Sequence, residues 1–187
     1  MTEDKQADDK ILWGAQLILE GLGVDLTDHN FANTPQRMLK VYKELFNHPL
    51  EEIPVFDEEY TSLVVMKHFE FVTLCPHHML PVVIDGSIAY YPKGRVVGYS
   101  KLARIMLEAN TCPMTQEKLT DTIMKRLTEL VPTSSGSALI LEGKHGCTAH
   151  RGIRSDCVMV TTKFQGVFEQ DKELQMRFLG MVGGNGR

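Results

Sequence analysis

The chain has 187 residues, 43% of them hydrophobic and 24% charged, with a formal net charge of −4. That composition fits a soluble globular protein able to bury a core without disulfide staples. The acidic balance argues against nucleic-acid partners, which call for a basic stripe. No run approaches the ~20 apolar residues that span a bilayer, and the polar start Met1-Thr2-Glu3-Asp4 is unlike a signal peptide. The expected location is the cytoplasm, with no membrane and no nucleic acid as partner, and there Cys75, Cys112, Cys147 and Cys157 read as thiols or metal ligands.

Residues 4–22 predict an amphipathic helix carrying Ile11, Leu12, Ala15, Leu19 and Leu22 at helical spacing. A second helix opens at Thr34 as N-cap and Pro35 at the first helical position, with Met38, Val41, Tyr42, Leu45 and Phe46 on one face. Pro49 and Pro54 break the chain into a linker to about residue 62, so we expect an N-terminal helical region at 1–62 and a catalytic domain at 63–187. The period then changes. Segments 64–66, 68–74, 82–91 and 95–99 are rich in β-branched and aromatic residues, with turns at Asp85-Gly86 and Pro92-Lys93-Gly94. Helices over 100–108 and 115–131 follow, then strands over 138–151 and 157–168 and a short helix over 171–182. This order predicts an α+β domain with a largely antiparallel sheet.

Cys75-Pro76-His77-His78 is the densest chemical signal. A thiolate and an imidazole three residues apart can share one Zn²⁺ if the chain turns between them, and Pro76 favours a turn. A second Cys-x-x-His follows at Cys147 and His150. Two readings compete: a closed four-ligand structural site, or an open site of Cys75, His78 and Cys147 that keeps a position for water. If 145–151 is a strand, His145, Cys147, Ala149 and Arg151 share one face and His150 points away, which favours the open site. His145 and His77 then flank the ligands as acid–base candidates, because imidazole titrates near neutral pH. His29, His48 and His68 read as ordinary polar residues, and Cys112 and Cys157 as structural thiols.

Ser100 is a plausible N-cap for the helix it opens, and Lys101 and Arg104, at i and i+3, would add positive charge to its N–H groups. The plain alternative is a solvated basic turn; Arg151 on the metal face tilts the reading toward a phosphate-bearing substrate. Thr115 caps the long helix, and Glu117 in its first turn is explained by the helix dipole alone.

With these pieces assembled the chain resembles the GTP cyclohydrolase I family. The resembling segments are Thr-Pro-Gln-Arg at 34–37, Cys-Pro-His-His at 75–78, Gly-Tyr-Ser-Lys-Leu-Ala-Arg-Ile at 98–105, Gln-Glu-Lys-Leu-Thr at 116–120, His-Gly-Cys-Thr-Ala-His-Arg-Gly at 145–152 and Gly-Val-Phe at 166–168. The resemblance implies zinc ligands Cys75, His78 and Cys147, without His150, and catalytic His77 and His145. It implies that Glu117, with Gln116 beside it, grips the guanine edge. Ser100, Lys101, Arg104 and Arg151 match positions that hold the ribose and triphosphate, and Arg37 matches a triphosphate contact supplied by a neighbouring subunit. The implied fold is the tunnelling fold, a four-stranded antiparallel sheet with two helices, here preceded by a helical hairpin. Its subunits would join into a homo-oligomer, a decamer of two pentameric rings with active sites between subunits.

The implied reaction starts from GTP. Water activated at the zinc adds at guanine C8, the ring opens with proton transfer from His145 and His77, C8 leaves as formate, and the ribose recloses into 7,8-dihydroneopterin triphosphate. One position departs from the family: Pro76 stands where an acidic residue is usual, which removes a charge and a backbone N–H beside the metal. No long N-terminal extension of the kind tied to a regulatory partner protein is visible. Rival readings are a divergent cyclohydrolase that acts on another purine or stops at a ring-opened formamide, and a zinc-stabilised nucleotide-binding oligomer without catalysis. A deaminase lacks its His-x-Glu and Pro-Cys-x-x-Cys pairing here.

Overall fold

The structure is a computed structural model that describes residues 3–49, 54–131 and 134–183. It divides into two compact units, 1–47 and 48–187. The first unit holds α1 (Glu3–Gly21) and α2 (Thr34–Phe46), linked by an ion pair of Lys43 Nζ with Asp8 Oδ2 at 2.7 Å. Ala15 is buried in α1, whereas Trp13, Ile18 and Leu22 are exposed. Thr34 is not the cap of α2: Asn33 holds that position without a side-chain hydrogen bond, and Thr34 is already helical, followed by Pro35.

The second unit begins at His48, and the stretch expected as a linker to about residue 62 contains a strand. That strand, β1 (Val55–Asp57), pairs antiparallel with β4 (Arg95–Val97). The second unit is built on β2 (Val64–Leu74), β3 (Pro81–Tyr91), β5 (Gly136–His145) and β6 (Val158–Gly166), an antiparallel sheet in the order β2-β3-β5-β6. Between the two hairpins the chain crosses as α3 (Tyr99–Ala109) and α4 (Gln116–Leu130). This is the α+β architecture expected, four antiparallel strands and two helices.

Both helices lie on one face of the sheet because their apolar residues fall at helical spacing while the strands alternate. Leu102, Ile105 and Met106 of α3 and Leu119, Ile123, Met124 and Leu127 of α4 bury against Ile84, Ile88, Leu139 and Leu141. Gly86 admits α3 closely, since a Cβ there would stand 2.6 Å from Met106 Sδ. On the other face, α6 (Val167–Gln170) and α7 (Lys172–Gly183) cover one end of the sheet, packing Phe168 and Phe178 over Ala89 and Ala138. His68 sits at a bulge in β2 with φ 60°, its Nδ1 3.0 Å from Asp85 Oδ2. Its Nε2 is buried without a hydrogen-bond partner, so one ring nitrogen of the two is satisfied, short of the fully satisfied residue the sequence reading expects.

The register places the functional segments. Leu74 pairs with Pro81, and Val82 pairs with His145. The turn after β2 and the end of β5 therefore meet across the start of β3. Cys75 follows one and Cys147 follows the other.

Candidate active site

Residues 75–80 form a tight loop. Cys75 N donates to Leu80 O at 2.9 Å, and the N–H groups of His78 and Met79 return to Cys75 O at 3.4 and 2.8 Å. Met79 closes the loop with φ 54°, a left-handed conformation uncommon outside glycine. The loop buries Cys75 and leaves His77 and His78 exposed.

The expected strand over 138–151 ends early. β5 stops at His145, and Gly146–Ala149 forms a single helical turn, α5, closed by His150 N donating to Gly146 O at 2.9 Å. Gly146 makes the corner: a Cβ there would stand 2.8 Å from Pro81 O. The alternation that placed Cys147 and Arg151 on one face is thus not the geometry that delivers them. The ligand atoms of Cys75, His78 and Cys147 nevertheless lie within 4.8 Å of one another, and among the described residues this is the one such cluster. His150 is not part of it.

The cluster suits a zinc ion. Two thiolates and an imidazole are a zinc donor set, and in a tetrahedral site sulfur and nitrogen ligands stand about 3.6 Å apart. Cys75 Sγ is 3.7 Å from His78 Nδ1. Burial pushes the Cys147 thiol up from its ordinary value, and the neighbouring Cys75 sulfur adds to this. A buried sulfur and a half-buried one facing each other are the arrangement a bound cation relieves. His77 Nδ1 stands 3.8 Å from Cys75 Sγ. Arg151 Nη1 lies 2.8 Å from His78 Nε2. A guanidinium only donates, so that contact suits a ring protonated on Nδ1. A ring that gives Nδ1 to a metal carries its proton on Nε2 and turns Arg151 toward another acceptor.

His145 is partly buried beside this cluster. Burial lowers its pKa from the ordinary histidine value, and the charge of Glu117 works against that shift. Glu117 is exposed in the first turn of α4, which Thr115 caps by accepting from Lys118 N at 3.3 Å. Gln116 turns inward: it is 3% exposed, and its Oε1 is 2.9 Å from His145 Nε2. The amide is occupied by protein partners, Leu141 O and Met159 O on its nitrogen and His145 Nε2 on its oxygen.

The basic residues of α3 are not brought to the metal within one chain. Gly98, not Ser100, is the N-cap of α3, and Ser100 lies inside the first turn. The far end of the helix reaches β2, where Asn110 Nδ2 donates to Val72 O at 3.1 Å. Ten helical residues separate Ser100 from that point, about 15 Å, and Cys75 lies three strand residues further on, about 10 Å. Ser100 and Lys101 therefore stand on the order of 20 Å from the zinc ligands, and Arg104 only somewhat nearer. Arg37 belongs to the separate N-terminal unit. Cys112 and Cys157, read as structural thiols, are exposed.

The family model for GTP cyclohydrolase I matches residues 14–183. The chain belongs to the GTP cyclohydrolase I family. Curated relatives named GTP cyclohydrolase 1 agree. The one from Rhodopirellula baltica is 34% identical over 88% of this chain and 74% of its own. Those from Clostridium perfringens (35%, covering 93% of this chain and 97% of the relative) and Geobacillus kaustophilus (34%, covering 92% and 95%) align nearly end to end. The segments that carried the resemblance in the sequence fall inside this match. Two residues now stand out that sequence reasoning passed over, Gly143 and Thr161, which frame the Gln116 amide. Only the register of β5 against β6 reveals them.

Proposed function

We propose that the protein is a zinc-dependent hydrolase that converts GTP and water to 7,8-dihydroneopterin triphosphate and formate. The observation that carries this reading is the convergence of Cys75, His78 and Cys147, with Cys147 two residues along the chain from a His145 that feels the charge of Glu117, in a chain of this family. A zinc ion held by those three ligands supplies Lewis acidity that brings the pKa of water toward neutrality.

The chain's own groups do the rest. Glu117 presents its carboxylate to the guanine edge, accepting from N1–H and the 2-amino group. His145 and His77 move protons at the imidazole-ring nitrogen as the bond to C8 breaks. Arg151 is close enough to the metal ligands to hold a phosphate or ribose oxygen. Ser100, Lys101, Arg104 and Arg37 hold the triphosphate from a neighbouring subunit, because within one chain α3's basic residues lie too far from the metal. That requirement supports a homo-oligomer with sites between subunits, and we adopt the decamer of two pentamers. The thiol ligands fit a reducing compartment such as the cytoplasm. No helix of the described residues is long and apolar enough to cross a membrane.

Product analysis by mass spectrometry tests this reading. Zinc-loaded protein given GTP should release formate and the pterin triphosphate. A product that retains the formyl group would redirect the reading to a cyclohydrolase that stops early, and no consumption of GTP would overturn it.

A further inference from the structure

The Gln116 side chain is locked by a closed circuit of hydrogen bonds whose direction can be assigned atom by atom. Its Nε2 lies 3.0 Å from Leu141 O, 3.0 Å from Met159 O and 3.2 Å from Thr161 Oγ1. Carbonyl oxygens only accept, so the atom facing them is the amide nitrogen and not the oxygen. Thr120 Oγ1 donates to Gln116 O at 2.7 Å. Its single proton is then spent, so in the 2.7 Å contact between Thr120 and Thr161 hydroxyls it is Thr161 that donates. Thr161 Oγ1 is left as an acceptor; the two amide hydrogens go to the two carbonyls, and the longer 3.2 Å contact with Thr161 shares one of them. A flipped amide would set its oxygen against two carbonyls and forfeit these bonds.

With the amide orientation fixed, Oε1 is the atom that faces His145 Nε2 at 2.9 Å. An amide oxygen cannot donate, so His145 Nε2 carries a hydrogen. In the neutral ring the lone pair is therefore on Nδ1. Space for this contact comes from Gly143. A Cβ there would stand 2.0 Å from Gln116 Oε1 and 3.1 Å from His145 Nε2. Any side chain at 143 would expel the amide oxygen from its seat. The backbone of Gly143 is not left-handed, so the glycine serves space and not conformation.

We propose that Gln116 and Gly143 are positioning residues that hold His145 in the Nε2–H tautomer and present Nδ1 as the atom that exchanges a proton with the substrate. Gln116 then acts through His145 and does not bind guanine. The catalytic meaning rests on the cyclohydrolase reading; the tautomer itself does not.

Long-range ¹H–¹⁵N correlation spectra of zinc-loaded protein read the tautomer directly, with the His145 signals assigned by their loss in His145→Ala. Wild type should show a protonated Nε2 and an unprotonated Nδ1. Gln116→Ala and Gly143→Ala should each show mixed tautomers at unchanged zinc content. Their kcat for GTP should fall about tenfold or more while KM stays within about twofold, because the guanine and phosphate contacts are untouched. Gln116→Glu should not restore activity, since a carboxylate has no hydrogens for Leu141 O and Met159 O. A protonated Nδ1 in the wild-type protein overturns the proposal and needs no variant to fold. So does a raised KM with kcat unchanged in Gln116→Ala, the signature of a substrate contact. Failure of wild type to consume GTP would instead sink the function and leave the tautomer result standing.

Discussion

Mixing two inactive variants tests whether the active site is shared between chains. His145→Ala removes a proton-transfer group from the metal half of the site, and Lys101→Ala removes a cation from the anion half. Along the fold these halves are separated by the length of α3 and the end of β2, on the order of 20 Å. If each site takes its metal half from one subunit and its anion half from the next, a one-to-one mixed oligomer pairs them at random. The metal half is intact with a probability of about one half, and so is the anion half of its neighbour, which gives about a quarter of sites fully wild type in a ring built from head-to-tail contacts. Co-expression of the two variants with different affinity tags, followed by tandem purification, isolates mixed oligomers. Formate release from GTP then measures recovery, expected near one quarter of the wild-type rate against near zero for either parent. Mixed oligomers no more active than their parents would refute the shared site and require both halves to come from one chain.

Three further outcomes follow from single substitutions. Cys147→Ala should bring bound zinc well below one per chain by metal analysis and abolish turnover, yet leave the circular dichroism spectrum intact, because the core around Ile84, Ile123 and Leu139 needs no metal; full zinc retention would remove Cys147 from the ligand set. Tyr90→Phe deletes the hydroxyl that accepts from Val97 N at 2.8 Å, at a cost of about 1–2 kcal/mol in chemical denaturation. Burial raises the Tyr90 phenol above its ordinary value; the stability tied to its neutral form is complete below pH ~10 and is lost as pH rises through the folded value, so the variant should show a shallower alkaline loss than wild type, and parallel curves would contradict this. Gly166→Ala places a Cβ 2.3 Å from Ser135 O at a residue with φ 60°, and should lower stability by about 2 kcal/mol or more; an unchanged melting temperature would show that the β6 end can shift without cost.

The helices and the order of strands were legible because the apolar period changes from 3.6 to 2 near residue 64, and that period is a property of neighbouring residues. What escaped depended on tertiary contact. The end of β5 was overrun because 138–151 has no proline and its Gly146 reads as a tolerable strand residue; only the approach of Pro81 O shows why the chain must turn there. Cys147 therefore reached the metal cluster by a helical turn and not by strand alternation, although the choice of ligands came out the same. β1 was missed because three residues pairing with a distant β4 leave no periodic trace. Ser100 read as a cap because serine follows a strand there, but the helix begins one residue before it. Gln116 was the hardest case: beside an exposed Glu117 it looks like a second ligand-facing polar residue, and its burial is set by the β5–β6 pairing some 25 and more residues away.

Pro76 separates the demands of the loop from those of the chemistry. In the loop the N–H groups that close the turn belong to Cys75, His78 and Met79, and position 76 has no donor to supply. A proline there forfeits no bond, suits the second position of a turn, and lowers the entropy of the unfolded loop, an effect of about 0.4–1 kcal/mol. Its side chain is exposed whereas Cys75 is buried, so a residue other than an acidic one at 76 changes charge near the metal without removing a ligand. The departure from the family pattern thus leaves the geometry of Cys75 and His78 in place. Its consequence is electrostatic: with no carboxylate at position 76, the metal site carries less negative charge.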